Sequence, residues 1–397
     1  MKITFWISVG IICYTFFVYP AILVLLAGIS QFWSDLRFAL GRGDRRKFAS
    51  QGYPLVSMLI AAHNEESVIA EKMQNCRELE YPEDRIEILV GCDGCTDDTV
   101  SRIEATRLPN VRVFDYGERS GKPALLNRLV PEARGDILVF SDANTMYAPH
   151  SVTSMVRRFR NPQVGAVSGE LKLLSHDGQP QAEGAYWRYE CFLKILESRL
   201  NMMVGANGAI FSIRSSLYRP LPSRTINDDF LIAMRIRDVG KRVVYDPEAT
   251  AYEETVPIRQ EFRRRVRIGS GDLRALRQTW RMLMPTAGTI ALSYWSHKIC
   301  RWLVPFALVS AGVSALALYR DGFYLVCALS GVLLASSGAL GYVMESRLRP
   351  VRFLHVPCHF FATNLGLMVG FLKDFVGDRS SIWAPTQRVP RGRVSGD

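Results

Sequence analysis

The sequence predicts an α/β domain, a mostly parallel sheet with helices on both faces, set between membrane-crossing helices. Three observations carry this expectation. Four long stretches contain no Asp, Glu, Lys or Arg: 3–34, 302–319, 322–344 and 353–372. Between the first two of them, short apolar runs alternate with amphipathic stretches from Leu55 onward, as in a parallel sheet covered on both faces. Polar and acidic clusters then follow three of those runs, at the strand ends where open α/β sheets bind ligands.

In chain order, the apolar run 3–30 comes first. A signal-peptide core spans roughly 7–15 residues and a bilayer needs about 20, so residues 1–34 read as a retained transmembrane helix. Arg37, Arg42, Arg45, Arg46 and Lys47 follow it. The positive-inside rule puts that cluster, and the domain after it, in the cytoplasm. Strands are expected at 55–62, 86–92, 111–116 and 136–142, with helices over 66–79 and 99–107. The domain extends over 50–280; its second half mixes strand and helix signals and ends in a basic helix, 261–280. The C-terminal membrane region, 285–375, holds spans near 301–319 and 322–344. Segment 353–374 carries His355, Pro357, His359 and Asn364, poor choices for lipid exposure, and is expected in the interface, with a fourth crossing as the alternative. Its histidines lack the company of a metal site and read as interfacial polar residues. Residues 376–397 form a basic tail.

Composition narrows the partners. Net charge is +11, which suits anionic membrane lipids or a polyanionic ligand such as a diphosphate. No basic and aromatic module of a known type is present, which argues against nucleic acid. The eight cysteines are scattered; Cys92-x-x-Cys95 has no second ligand pair to complete a zinc site and reads as two small residues near a strand end.

The chemistry-bearing motifs are "AAHNEE", "DGCTDDT", "GKPALLN", "FSDANT", "NDDF" and "RRVRI", in that order. "GERSGKPALLN" is not a phosphate loop of the G-x-x-x-x-G-K-[ST] kind: three residues separate its glycines, and Pro123 stands where the metal-binding hydroxyl would be. Lys122 still reaches a diphosphate as a point charge. Together the six motifs, over about residues 54–275, resemble membrane-embedded family 2 glycosyltransferases, the relatives of cellulose, chitin and hyaluronan synthases. The resemblance implies a GT-A fold with a mixed, mostly parallel sheet. It implies inverting transfer of a hexosyl or N-acetylhexosaminyl group from a nucleotide-diphosphate sugar, with a UDP-sugar favoured.

Carried over by residue, Glu65 and Asp93 would contact base and ribose, with Ala62 and His63 also on the donor side and Lys122 near the nucleotide. Asp142 and Asn144 stand at the family's D-x-D, the site of Mg²⁺ or Mn²⁺; an Asn in place of the second Asp implies a softer metal site. Asp229 falls on the catalytic base, and Asp228 beside it would raise its basicity by like-charge repulsion. The Q-x-x-R-W motif falls on residues 264–268. Arg267 matches and would stabilise the departing diphosphate, with Arg264 and Arg265 adding charge on the donor side. Ile268 replaces the Trp that forms a platform for the acceptor sugar. Asn207 and Gly208 lie in a segment similar to the acceptor-side loop. Trp383, Thr386 and Arg388 resemble the gating loop of hyaluronan synthases.

The resulting expectation is transfer to a lipid-linked or growing glycan acceptor in polysaccharide or glycoconjugate assembly. A processive synthase is the alternative; it would need the missing platform, and an oligomer or export partner to supply further helices. A catalytically inactive nucleotide-binding scaffold is the alternative of another class.

Overall fold

The structure, a computed structural model, describes residues 1–41, 52–174, 184–347 and 352–377. Helix α1 (Lys2–Cys13) runs through a π-helical turn into α2 (Tyr19–Ala39). Next come β1 (Val56–Ala62), α3 (Ile69–Arg77), β2 (Ile86–Cys92), α4 (Thr99–Ala105), β3 (Val111–Asp115), α5 (Lys122–Leu129) and β4 (Ile137–Asp142). They are followed by β5 (Met146–Tyr147), α6 (Ser151–Arg158), β6 (Val164–Leu174), α7 (Gly184–Arg199), β7 (Ile210–Arg214), α8 (Asp228–Asp238) and β8 (Arg242–Glu254). The remainder is helical: α9 (Ile258–Thr279), α10 (Thr289–Ser293), α11 (Cys300–Ala317), α12 (Gly322–Ser346) and α13 (Arg352–Val376). By their contacts, all eight strands with α3–α6 and α8 form one unit, and the other helices, α7 and α9 included, form a second.

In the first unit the strands make one eight-stranded sheet, ordered β3-β2-β1-β4-β7-β6-β8-β5. The four expected strands form its parallel half, with β2 and β4 flanking β1. β1, β2 and β4 are buried on both faces, which is why they read as near-continuous apolar runs, while β3, at the sheet edge, is only half-buried. β7 pairs antiparallel with β4 and with β6, and β5 antiparallel with β8, so the sheet as a whole is mixed. Beyond Asp142 strands and helices still alternate along the chain, but the strands no longer all run parallel. Helix α3 starts at Ile69 rather than at Glu66, because Asn64 takes a left-handed conformation, φ 54°, and the next residues complete a turn before the helix begins.

In the helical unit, Phe5 of α1 packs with Ala315, Tyr324 and Ala328 of α11 and α12. Tyr19 and Leu23 of α2 pack with Leu193 and Leu196 of α7. Helix α7 also carries two acids that tie the unit together. The fully buried Glu197 accepts hydrogen bonds from Tyr19 Oη at 2.6 Å and Ser293 Oγ at 3.1 Å, and pairs with His297 Nδ1 at 2.7 Å. Glu190 meets His297 Nε2 at 2.9 Å and also pairs with Arg301. Burial opposes ionisation of Glu190, but the Arg301 and His297 charges outweigh it and hold the carboxyl well below its usual range.

Among the described residues three helices are long and apolar enough to cross a membrane: Lys2–Ala39, Thr289–Ala317 and Gly322–Glu345. Helix α13 is not one of them; it packs against α9 through glycines. A Cβ on Gly269 would stand 2.7 Å from Leu367 O, and one on Gly366 2.8 Å from Arg265 Cβ, so the two backbones approach closely only because these side chains are absent. The histidines of α13 do have company. Glu345, at the end of α12, faces both His355 and His359, which corrects the reading of lone interfacial polar groups. A residue some ten positions upstream gives no sign in the sequence that helix packing will bring it back.

Candidate active site

Strand register assembles the site. Ala62 pairs with Cys92, and Ala61 with Asp142, across three adjacent parallel strands. The turns that follow β1, β2 and β4 must therefore emerge side by side at one edge of the sheet. The first two are tied together by side chains. His63 Nδ1 lies 2.6 Å from the Asp93 carbonyl oxygen, the Glu65 amide donates to Thr99 Oγ1 at 2.8 Å, and the Thr96 amide donates to Asn64 Oδ1 at 2.8 Å. Ala62, His63, Glu65 and Asp93 are all buried.

Both oxygens of Asp93 hold the loop that leads to Lys122. Oδ1 accepts from the Ser120 amide at 2.7 Å and from Ser120 Oγ at 2.9 Å; Oδ2 accepts from the Gly121 amide at 2.8 Å. Gly121 is left-handed, φ 88°, and this kink delivers Lys122 as the first residue of α5. Lys122 Nζ then lies 2.7 Å from Asp142 Oδ1 and 3.6 Å from Asp228 Oδ2. Burial by itself would lower the Lys122 pKa, but the neighbouring Asp142 and Asp228 charges more than reverse this and raise it, so the ammonium persists.

Asp228 and Asp229 form the first turn of α8, where the helix dipole favours negative charge. Asp228 is largely buried beside Lys122. Asp229 Oδ1 accepts from the Phe230 amide at 2.8 Å. Its other oxygen faces the loop before β7: a Cβ on Gly208 would lie 3.2 Å from Asp229 Oδ2. That loop is held by the Asn207 amide, which donates to Ser168 Oγ at 3.0 Å. The structure thus brings Lys122, Asp142, Asp228, Asp229 and Gly208 together, with Asp93 acting through the 120–121 turn.

Asn144 follows in the turn after β4. It is half-buried. One carboxylate with a neutral amide oxygen is a hard, oxygen-only set. It suits Mg²⁺ or Mn²⁺, which complete their shells with water and substrate phosphates. Arg264, Arg265, Arg267 and Ile268 lie on α9 in the helical unit, where Glu261 forms an ion pair with Arg264 at 3.1 Å and accepts a hydrogen bond from Arg265 Nε at 2.7 Å. Trp383, Thr386 and Arg388 lie outside the described residues.

The model of the family "Glycosyltransferase like family 2" matches residues 54–268, more than half of the chain. The chain belongs to this family. A beta-monoglucosyldiacylglycerol synthase of Synechocystis sp. is 26% identical over 318 residues, which cover 75% of this chain and 64% of that protein. "Probable glycosyltransferase YdaM" of Bacillus subtilis is 26% identical over 231 residues, 51% of each chain. The chain thus spans less than two thirds of either relative. Among solved structures, a mannosyltransferase from Pyrobaculum calidifontis in complex with GDP-Man and Mn²⁺ superposes with TM-score 0.68 at 20% identity, covering 95% of this chain and 100% of that one. The fold of this family 2 glycosyltransferase is GT-A, with helices of membrane-crossing length attached.

One residue of this glycosyltransferase escaped sequence reasoning. Lys72 on α3 is fully buried, and its Nζ donates to Ser141 Oγ at 2.9 Å and to the Thr145 carbonyl at 2.5 Å, 4.7 Å from the Tyr147 ring centroid. Thr145 in turn donates to Glu253. Lys72 therefore grips both ends of the turn that carries Asp142 and Asn144, as a positioning residue. Burial pushes its pKa down, with Asp142 and Glu253 pulling the other way. A signal was present: Lys72 shares one helical face with Ile69, Met73 and Cys76, where an amphipathic helix should be apolar.

Proposed function

We propose that this glycosyltransferase moves a hexosyl or N-acetylhexosaminyl group from a nucleotide-diphosphate sugar, with UDP as the favoured carrier, to a lipid-linked or growing glycan acceptor. Transfer inverts the anomeric carbon, and the α/β unit faces the cytoplasm at the inner membrane. The observation that carries the proposal is the meeting of Lys122, Asp142 and Asp228 with Asp229 and Gly208 at one end of the sheet.

The division of labour follows from the chemistry. The acceptor hydroxyl oxygen bonds to the anomeric carbon as the bond from that carbon to the diphosphate breaks. The hydroxyl proton passes to Asp229, and the nucleoside diphosphate leaves with the electron pair. A positioned carboxylate base contributes roughly 10²–10⁴-fold. Gly208 leaves room beside Asp229 Oδ2 for the incoming hydroxyl. The Lys122 ammonium offers fixed positive charge to the departing diphosphate. Mg²⁺ or Mn²⁺ held by Asp142 and Asn144 would neutralise further charge on that leaving group. Arg267, with Arg264 and Arg265, keeps the leaving-group role its motif implies.

The test offers a panel of nucleotide sugars and a membrane lipid extract to the purified full chain, and follows release of nucleoside diphosphate. One donor should be consumed only when lipid is present, and Asp229→Asn should lower that rate by about 10²–10⁴-fold. Nucleotide binding with no donor consumed would replace this reading with the inactive scaffold.

A further inference from the structure

Away from the sheet, the helical unit holds a second group of ligand-type side chains. Glu345 closes α12, while His355 and His359 lie one turn apart on α13. Glu345 Oε2 is 3.7 Å from His355 Nδ1, and Glu345 Oε1 is 3.3 Å from His359 Nε2. The two imidazole centroids are 4.0 Å apart. One ligand atom from each of the three residues lies within 4.8 Å of the others.

Backbone packing fixes this arrangement. A Cβ on Gly341 would come 2.8 Å from Leu354 O and 2.9 Å from Cys358 Cβ; one on Gly338 would come 2.7 Å from the Phe361 ring. Helices α12 and α13 therefore approach at a distance that only glycine permits, and Glu345 is carried to the turn bearing both histidines.

We propose that Glu345, His355 and His359 bind a divalent transition ion of the zinc class, which clamps the end of α12 to the start of α13. Two imidazoles and a carboxylate are the ligand set such ions take, with a fourth position left for water or another donor. Metal–ligand bonds of about 2.0–2.2 Å in a tetrahedron put ligand atoms roughly 3.3 Å apart; here each imidazole nitrogen has its own carboxylate oxygen at 3.7 or 3.3 Å, and one atom from each residue lies within 4.8 Å of the others. The donor-side pair is different: Asp142 and Asn144 offer oxygen alone and suit hard cations. The clamp also reaches the arginine helix. Ile258 of α9 packs with Cys358 and Ala362 beside His359, and Glu261 of the same helix pairs with Arg264 and Arg265.

The experiment strips the full chain of metal with a chelator in detergent and titrates Co²⁺ alone, reading its visible absorption. The expected result is one equivalent with the intense bands of a four-coordinate ion, displaced by Zn²⁺ but not by Mg²⁺. His355→Ala with His359→Ala should abolish those bands. Glu345→Gln, nearly isosteric, should weaken binding by more than the ~10–100-fold that loss of an outer partner costs. Asp142→Ala should leave bands and stoichiometry unchanged, which separates this site from the donor site. Co²⁺ should raise the melting temperature of the native chain and leave that of Glu345→Gln unmoved. Bands absent in a folded native chain, or intact in Glu345→Gln, would overturn the proposal and leave a plain histidine–carboxylate cluster.

Discussion

Gly208→Ala tests the placement of the base. An ideal Cβ at this position would lie 3.2 Å from Asp229 Oδ2, 3.3 Å from its Cγ and 3.6 Å from its Cβ. Comfortable carbon contacts begin near 3.5 Å, so the carboxylate must move by about 0.3 Å. A misplacement of 1 Å can cost about 10²-fold; scaled in proportion, 0.3 Å costs about 4-fold. In the proposed arrangement the methyl also takes acceptor space, so kcat/KM should fall by about 4- to 10-fold, roughly 0.8–1.4 kcal/mol. Donor affinity, set on the other side of the carboxylate, should hold. The control is Gly240→Ala, just past the other end of α8: φ is 77° and no atom lies within 4 Å of its Cβ. Its cost is conformational, roughly 1–2 kcal/mol of stability, with turnover unchanged. Steady-state kinetics at saturating donor, beside melting curves of both variants, give the comparison. A Gly208→Ala enzyme with native kcat/KM, or one whose loss merely follows its melting temperature, would refute the placement of Asp229 beside the acceptor.

Asp142→Ala should abolish transfer while Asn144→Asp keeps or improves it; donor-consumption assays across a Mg²⁺ and Mn²⁺ series check both, and a fully active Asp142→Ala would remove this residue from the reaction. Asp93→Asn exchanges one acceptor oxygen for a donor in front of the Ser120 and Gly121 amides. It should cost about 1–3 kcal/mol and weaken nucleotide binding, measured by calorimetry, by freeing the loop that aims Lys122. Lys72→Met removes the burial cost of the amine but leaves the Thr145 carbonyl without its donor. Melting temperature should therefore change little, while turnover drops by up to about 10²-fold and the cation concentration for half-maximal activity rises; unchanged metal dependence would contradict its role under the 141–145 turn.

Much of this architecture was legible in the residues themselves. Three of the four charge-free runs marked helices long and apolar enough to cross a membrane, because lipid tolerates few charges. The four apolar runs before Asp142 marked the parallel strands nearly to the residue, and the polar turns after three of them marked the edge where the site forms. These are local properties, written in composition and period. What the sequence could not decide was how each polar atom is used. Asp93 carries the same side chain whether it meets a ribose or its own loop, and here both its oxygens hold Ser120 and Gly121. Lys72 sits on the apolar face of α3, but only packing shows that its ammonium ends beneath the turn of Asp142. Helix α7, with its buried acids, joins the helical unit rather than the sheet, and Glu345 meets two histidines of the following helix. Each of these turns on which distant atoms come within about 3–4 Å, and period and composition carry no distances between elements. Only the packing of those elements sets them.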